Sequence, residues 1–337
     1  MNVLIIADIE GIVGVVNMND IEQNNNLMTK EVLSVCLALK RCGVDNIDVC
    51  DAHNEGKNID RSPFTDIDVN VISQVWNVDL SVKYDAALLV GYHGMNGSDS
   101  VFAHTLKDDV EKVKTNSSPI GEVGIFMSWL NESRIPVIFV SGDEQATSEA
   151  IEQDSNCYTF TKKNIEAEKM TLENLTECYY EVLKHAIQCF KKGRYKTSEL
   201  KVYPLYMYLE NPGMLPYIRS QEKVMKNAII FESSTDLVSG ISEICEDINK
   251  AKLKILKENI EYAKNLRMQF SDIDVRKIEN NKLIELLNKD VTMLQSGDKK
   301  YIWETLTCYR NSLGEVAGGK EKSGNQSCFL PDFASGS

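Results

Sequence analysis

The sequence predicts an α/β fold with a mainly parallel sheet flanked by helices in the N-terminal half, a smaller α+β C-terminal part, and a helical or irregular extension. Two observations predict the sheet. Short, continuously apolar segments alternate with helical patterns through about the first 150 residues, as in parallel strands covered on both faces. Three of the four segments run into Asp or His, at the strand ends where open α/β sheets bind ligands.

The first part of the chain contains four predicted strands and three predicted helices. The strands are Val3 to Ile6, Ile47 to Cys50, Ala86 to Val90 and Pro136 to Val140. The helices are Thr29 to Cys42, which has an apolar stripe at helical spacing and a terminating Gly43, then Glu122 to Trp129, and a third that follows Asp143 and continues through Ala150.

The second half carries weaker patterns. An amphipathic helix is predicted over Thr171 to Phe190, strands over Val202 to Leu209 and Ala228 to Phe231, and one long helix or two from Leu237 to about Leu266. Beyond about Ser271 the chain is polar, and from Gly318 it is rich in Gly, Ser and Asn, which predicts a loose tail.

Composition excludes several classes of function. The net charge of -13 disfavours binding to nucleic acid or to an anionic lipid surface. No apolar run reaches the length of a membrane span, and the apolar start is better explained as a strand than as a signal peptide, because it lacks a basic residue and Asp8 follows at once. Nine cysteines without a CxxC pair predict reduced thiols and a cytoplasmic location.

Three of the four histidines, His53, His93 and His104, lie in the first third of the chain. Asp8 and Glu10 alternate at the end of the first predicted strand, which puts both carboxylates on one side, where they need a cation or a shared proton. Imidazole and carboxylate are ligands for Zn²⁺, Mn²⁺ or Co²⁺. The alternatives are a solvated acidic loop and structural histidines.

Six short elements carry a more specific signal. In chain order they are Asp8-Ile9-Glu10-Gly11-Ile12-Val13-Gly14, Asp51-Ala52-His53, Gly91-Tyr92-His93, Ala103-His104-Thr105, Ile120-Gly121-Glu122-Val123-Gly124, and Pro136 to Asp143. This series resembles the motifs of the DppA-type D-aminopeptidase family (peptidase family M55). The resemblance covers roughly residues 1 to 150 and continues more weakly through Lys162.

The resemblance implies a site with two divalent metal ions, with zinc as the expected metal. Its implied ligands are Asp8, Glu10, His53, His93 and Glu122, with Asp8 bridging the two ions, and its implied catalytic residue is His104. Such ions activate water and polarise the scissile carbonyl group. Lys162 is a candidate for holding substrate or the oxyanion, against the plainer interpretation of a surface lysine.

The resemblance also implies an activity and an assembly. The expected substrates are short peptides with a D-residue such as D-Ala at the N-terminus, and the expected assembly is a homo-oligomer, a decamer. We expect a metal-binding α/β catalytic domain over 1–160, a smaller α+β part over 161–270, and an extension of unknown role over 271–337. Val13 replaces a small polar residue of the family, and Ala167 lies near the place of an Arg that many relatives have, which bears on substrate recognition.

Two other functions remain open at this point. The first is a metal-dependent amidohydrolase or peptidase that acts on L-peptides or on a modified peptide. The second is a metal-binding assembly module without activity. Outside the motifs, Cys50 is expected in the core, Asp143 as a helix N-cap, His185 in a structural or exposed position, and Asp51 as either a partner of His53 or a turn residue.

Overall fold

The computed structural model describes residues 1–17, 20–21, 25–54, 56–162, 171–195 and 204–269, with side chains in the last helix as far as Ile255. By compactness the chain divides into two units, residues 1–248 and residues 249–337. Both sheets of the described residues belong to the first unit. The predicted extension over 271–337 lies outside the described residues, and the predicted domain limits at 160 and 270 stay predictions.

The first sheet has six strands, and every neighbouring pair in it is parallel. In spatial order they are β3 (Asn70–Ser73), β2 (Asn46–Asp51), β1 (Asn2–Ala7), β4 (Ala86–Tyr92), β7 (Val137–Gly142) and β8 (Tyr158–Thr161). The predicted parallel sheet is confirmed.

The strand order places a crevice beside β1. From β1 the chain builds outward through β2 and β3, and then returns to the other side of β1 with β4, β7 and β8. Ligands of open α/β sheets bind where the order reverses in this way, beyond the carboxyl ends of the strands. The residues that follow β1, β2 and β4 are therefore gathered at one rim.

Two strands of this sheet, β3 and β8, were not predicted. Both lie at the edges of the sheet, and most of their residues are only partly buried. Apart from Asp48 in β2, the four predicted strands are apolar because both of their faces are covered, whereas the two edge strands of four residues have no such pattern.

The described residues form six α-helices beside the sheets. They are α1 (Asn25–Arg41), α2 (Ser62–Thr65), α3 (Glu122–Glu132), α4 (Glu144–Gln153), α5 (Leu172–Lys191) and α6 (Ser234–Gln269). Helices α1 and α5 pack against each other and cover one face of the first sheet. There Val35 and Leu39 of α1 and Leu183 of α5 join Ile5 and Leu88 in one buried cluster. Each such buried side chain contributes about 1.5–3 kcal/mol.

The second sheet is antiparallel and smaller. Its order is β10 (Val224–Met225), β11 (Ala228–Phe231), β9 (Leu205–Leu209), β5 (Val110–Lys114) and β6 (Pro119–Ile120). The predicted strand over Val202 to Leu209 corresponds to β9, and its first two residues lie outside the described part. Strands β5 and β6 were not predicted, and they precede the second half of the chain from which the smaller part was expected to form.

The long helical pattern near the end of the described chain is a single helix, α6, of 36 residues. Its first two amides are capped by Glu132, whose carboxylate accepts from Ser234 N and Thr235 N at 2.9 Å each. Across the part of the chain that the structure describes, no helix is long and apolar enough to cross a membrane.

Candidate metal centre

Asp8 lies between two imidazole rings at the crevice beside β1. It directly follows β1, while His53 and His93 follow β2 and β4 on either side. Asp8 Oδ1 is 3.2 Å from His53 Nδ1, and Asp8 Oδ2 is 3.5 Å from His93 Nε2. One carboxylate therefore faces both histidines, one with each oxygen.

Two glutamates complete the ring of ligand atoms. Glu10 Oε2 is 3.2 Å from His53 Nδ1. Glu122 is the first residue of α3, and its Oε1 is 3.6 Å from His93 Nε2 while accepting from Leu106 N at 2.7 Å. Glu10 therefore contacts His53, and Glu122 contacts His93.

His104 stacks on His93. Their ring centroids are 4.1 Å apart with an interplanar angle of 13°, and His104 Nε2 is 3.8 Å from Glu122 Oε1. The two differ in access to solvent, because the His104 side chain is 24% exposed and that of His93 only 1%.

Backbone carbonyls orient both stacked rings. His93 Nδ1 is 2.9 Å from Gly94 O, and His104 Nδ1 is 2.9 Å from Phe102 O. A proton on Nδ1 that donates to such a carbonyl leaves Nε2 with its lone pair, which is the form that binds metal or accepts a proton. Both Nε2 atoms point toward Glu122.

Among the described residues, two groups place their ligand atoms within 4.8 Å of one another. One is Asp8, Glu10 and His93, and the other is His93, His104 and Glu122. His93 belongs to both, and His53 adjoins the first through its contacts with both acids. The structure therefore brings the five predicted ligands and His104 to one site; their individual roles stay predictions.

Burial and mutual charge set the proton affinities of this cluster. Burial and the charge of Glu10 raise the pKa of Asp8 to about 7. Burial alone would lower the pKa of His53, but hydrogen bonds to Asp8 and Glu10 outweigh it and raise that pKa to about 11. In the same way Glu122 overcomes burial and raises the pKa of His93 to about 10. Protons and a cation therefore compete for the same atoms.

The residues fit a divalent cation. Asp8 Oδ2 is buried and has no hydrogen-bond partner among the described residues, which is costly for a carboxylate oxygen unless an ion meets it. Three carboxylates and neighbouring imidazoles form the donor set that suits zinc.

Asp51 stabilises the turn that carries His53 by accepting hydrogen bonds from its backbone. It is buried and accepts hydrogen bonds from Asn58 N at 2.6 Å and Ile59 N at 3.0 Å, and Asn58 Nδ2 donates to His53 O at 2.7 Å. Of its two predicted roles, the structure shows the one in which it organises the turn.

Asp143 is the N-cap of α4, as predicted, because its Oδ1 accepts from Ala146 N at 2.8 Å. Its other oxygen accepts from Gly94 N at 3.1 Å and from the hydroxyl of Ser100. Asp143 therefore also anchors the segment that follows His93.

Glu149 was not identified from the sequence. It is buried on α4, and its Oε1 accepts from Gly121 N at 2.6 Å and Gly124 N at 3.1 Å, at the start of the helix that begins with Glu122. Burial raises the pKa of this carboxyl group to about 7. Nothing in the local sequence separates Glu149 from the exposed acids of the same helix.

Three other residues discussed from the sequence, Cys50, His185 and Lys162, belong to neither group of ligand atoms. Cys50 is fully buried in β2, as predicted, and His185 is exposed on α5. Lys162 directly follows β8, and its ammonium group donates to the carbonyls of Glu10 and Val15 at 2.7 Å and 3.1 Å. Its contact with substrate stays a prediction.

Two glycines allow the segment after β1 to lie directly against the end of β4. Gly11 N donates to Gly91 O at 2.7 Å, and a Cβ atom on Gly11 would lie 1.8 Å from Tyr92 O. Gly91 has a φ of +79°, and a Cβ there would lie 2.3 Å from Asp8 O. This close approach places Asp8 beside His93.

Gly11→Ala is expected to lower the free energy of unfolding by about 3 kcal/mol or more, because the added methyl meets backbone atoms that cannot give way. It should also impair metal binding by displacing Asp8. Denaturant unfolding and equilibrium dialysis with zinc measure the two effects. Gly240→Ala is the control, since its Cβ would meet only Phe231 at 3.9 Å; equal stability of the two variants would contradict the packing described.

Known proteins resemble this chain in sequence and in fold. A family model described as peptidase M55, D-aminopeptidase, matches residues 1–210. The D-aminopeptidase of Bacillus subtilis (strain 168) is 28% identical over an alignment of 177 residues, and the match covers 48% of this chain and 64% of that protein. The chain thus matches somewhat less than two thirds of the length of this relative.

A solved structure is also similar. It is described as Zn-dependent D-aminopeptidase DppA from Bacillus subtilis, a self-compartmentalizing protease. The match has a TM-score of 0.62 at 19% identity, and it covers 74% of this chain and 98% of the other. At that identity the likeness shows the fold. The family match spans more than half of the chain and includes Asp8, Glu10, His53, His93, His104 and Glu122, so the chain belongs to the peptidase M55, or D-aminopeptidase, family.

Proposed function

We propose that this protein is a zinc-dependent aminopeptidase with two metal ions, which hydrolyses the N-terminal peptide bond of short peptides that begin with a D-residue such as D-Ala. The observation that carries the proposal is the convergence of three carboxylates and three imidazoles at the crevice beside β1, around a buried Asp8 oxygen without a hydrogen-bond partner among the described residues. Membership of the D-aminopeptidase family supports the choice of substrate.

Asp8 is the proposed bridging ligand. Its Oδ1 faces His53, which also contacts Glu10, and its Oδ2 faces His93, which also contacts Glu122. We therefore assign Glu10 and His53 to one ion and His93 and Glu122 to the other. Bound zinc supplies Lewis acidity, which lowers the pKa of water and polarises a carbonyl group.

His104 is the proposed catalytic acid and base. Its Nδ1 is anchored at Phe102 O, its Nε2 faces Glu122, and its side chain is the most exposed of the three imidazoles at the site. Imidazole exchanges protons readily near neutral pH. With Nδ1 donating to Phe102 O, His104 Nε2 accepts the proton that the attacking water loses and passes it to the amine nitrogen when the peptide bond breaks. Glu122 Oε1 lies 3.8 Å from this nitrogen.

An assay of zinc-loaded protein on D-alanine amide, L-alanine amide and N-acetyl-D-alanine amide tests this function. We expect a kcat/KM at least about 100-fold higher for the D- than for the L-amide, and no turnover of the acetylated compound, which lacks a free N-terminus. Equal rates on the L-amide would favour the alternative specificity. Absence of turnover on both amides that have a free N-terminus would favour the assembly module.

We also propose that the chain forms a homo-oligomer, since the similar DppA is described as self-compartmentalizing. The size proposed, a decamer, follows from the resemblance in motifs. Light scattering after size-exclusion chromatography measures the mass, and a monomer at micromolar concentration would contradict the proposal. A cytoplasmic location accords with the buried free thiols of Cys36 and Cys50.

A further inference from the structure

The segment that carries Asp8 and Glu10 has little regular structure of its own. We call residues 8–15 the ligand loop. Within it, Ile12 N donates to Ile9 O and Val15 N donates to Ile12 O, at 3.1 Å each. Such turns leave several main-chain groups to be held from outside the loop.

Lys162 holds two carbonyl groups of the ligand loop. Its ammonium donates to Glu10 O at 2.7 Å and to Val15 O at 3.1 Å, so a single cation joins the two halves of the loop. Lys162 follows β8, the edge strand three positions away from β1. Its backbone is fixed by a hydrogen bond from Lys162 N to Gly142 O at 2.9 Å, at the end of β7.

Glu31 holds the amide side of the same loop. It lies on α1 with 1% exposure, and its Oε2 accepts from Val13 N at 2.6 Å. Its Oε1 accepts from the hydroxyl of Tyr179, a fully buried residue of α5. The buried carboxyl group of Glu31 therefore links α1 and α5 to Val13, in the middle of the ligand loop.

We propose that Lys162 and Glu31 are positioning residues, which hold the ligand loop at Glu10, Val13 and Val15 and so fix Asp8 and Glu10 for the metal ions. The inference rests on the proposed role of these two acids as ligands. Lys162 and Glu31 contact only main-chain atoms of the loop. They therefore fix its backbone conformation and do not touch the ligand side chains. Groups that orient ligands in this way typically change metal affinity 10- to 100-fold when they are removed.

Two roles of Lys162, binding substrate and positioning the ligand loop, predict different effects. An ammonium group has three donors, and Lys162 uses two of them on the loop. A lysine that mainly binds substrate affects KM and leaves zinc affinity unchanged. A lysine that positions the loop affects zinc affinity and local backbone protection, with KM at saturating zinc unchanged.

The test compares Lys162→Met and Glu31→Met with the wild type by two measurements that need no substrate. Hydrogen–deuterium exchange reports on peptides covering residues 8–15, and competition with a chelator gives the dissociation constant for zinc. We expect faster exchange in those peptides and zinc binding weakened about 10- to 100-fold, while KM for D-alanine amide at saturating zinc stays within about twofold.

Three variants serve as controls. Lys112→Met removes an exposed lysine of β5 and should change neither exchange over 8–15 nor zinc affinity. Lys162→Arg and Glu31→Gln keep a donor and an acceptor, so each should retain more zinc affinity than the matching Met variant. If a Met variant does not fold, these two and Tyr179→Phe, which removes only the hydroxyl that Glu31 accepts from, carry the test.

Unchanged exchange over 8–15 together with unchanged zinc affinity would overturn the proposal, and a rise in KM alone would assign Lys162 to substrate. Failure of the proposed function gives a different result. In that case the wild type would not hydrolyse the amides, whereas the shifts in exchange and zinc affinity would persist and support the positioning role.

Discussion

Replacing His93 by alanine is expected to reduce the zinc content below two ions per chain and to lower kcat/KM on D-alanine amide by more than about 100-fold, the upper end for loss of a group that merely orients a ligand. His93 is the residue shared by both groups of ligand atoms, with Nε2 at 3.5 Å from Asp8 and 3.6 Å from Glu122. Without this imidazole, Asp8 and Glu122 lose the nitrogen ligand that lies near both of them. Zinc content after dialysis and steady-state kinetics measure the two effects.

His185→Ala is the matched control for this prediction. His185 is exposed on α5 and outside the motifs, so its removal should leave zinc content and activity unchanged. A His93→Ala protein that keeps the wild-type zinc content would show that the cluster at the crevice is not the metal site.

Replacing His104 by alanine is expected to lower kcat about 10²- to 10⁴-fold, the usual contribution of a general acid or base. Zinc affinity should change far less, because the five proposed ligands remain. The partial exposure of His104, against the full burial of His93, is the structural reason for assigning proton transfer to the former. Pre-steady-state and steady-state kinetics on the zinc-loaded variant, with its zinc content measured in parallel, provide the check.

Two outcomes would revise the role of His104. Loss of zinc together with activity would make it a ligand, in keeping with its grouping within 4.8 Å of His93 and Glu122. Turnover equal to that of the wild type would remove it from the mechanism while leaving the metal site intact.

The rim of the sheet was predictable from the sequence for a physical reason. A strand buried on both faces is apolar throughout, so an Asp or His at its end is conspicuous, and parallel strands bring those ends to one edge. Asp8, His53 and His93 follow predicted strands and are predictable in this way. Glu122 begins a helix and His104 lies in an irregular segment, so only the resemblance in motifs placed these two.

The residues that hold the backbone around the site could not be predicted from strand ends. Glu31, Glu149 and Lys162 have charged side chains of the kind that usually lie on a solvated surface. What places them is long-range packing, since Glu31 reaches Val13 and Lys162 reaches Glu10 across the fold. The second sheet shows the same limit, because β5 pairs with β9 from a distant part of the chain.

The most direct test of the central claim is a crystal structure of the zinc-loaded protein with anomalous scattering recorded at the zinc edge. Two peaks are expected at the crevice beside β1, with Asp8 ligating both, Glu10 and His53 at one, and His93 and Glu122 at the other. A single peak would contradict the shared role of Asp8, and zinc bound away from this crevice would contradict the account of the site itself.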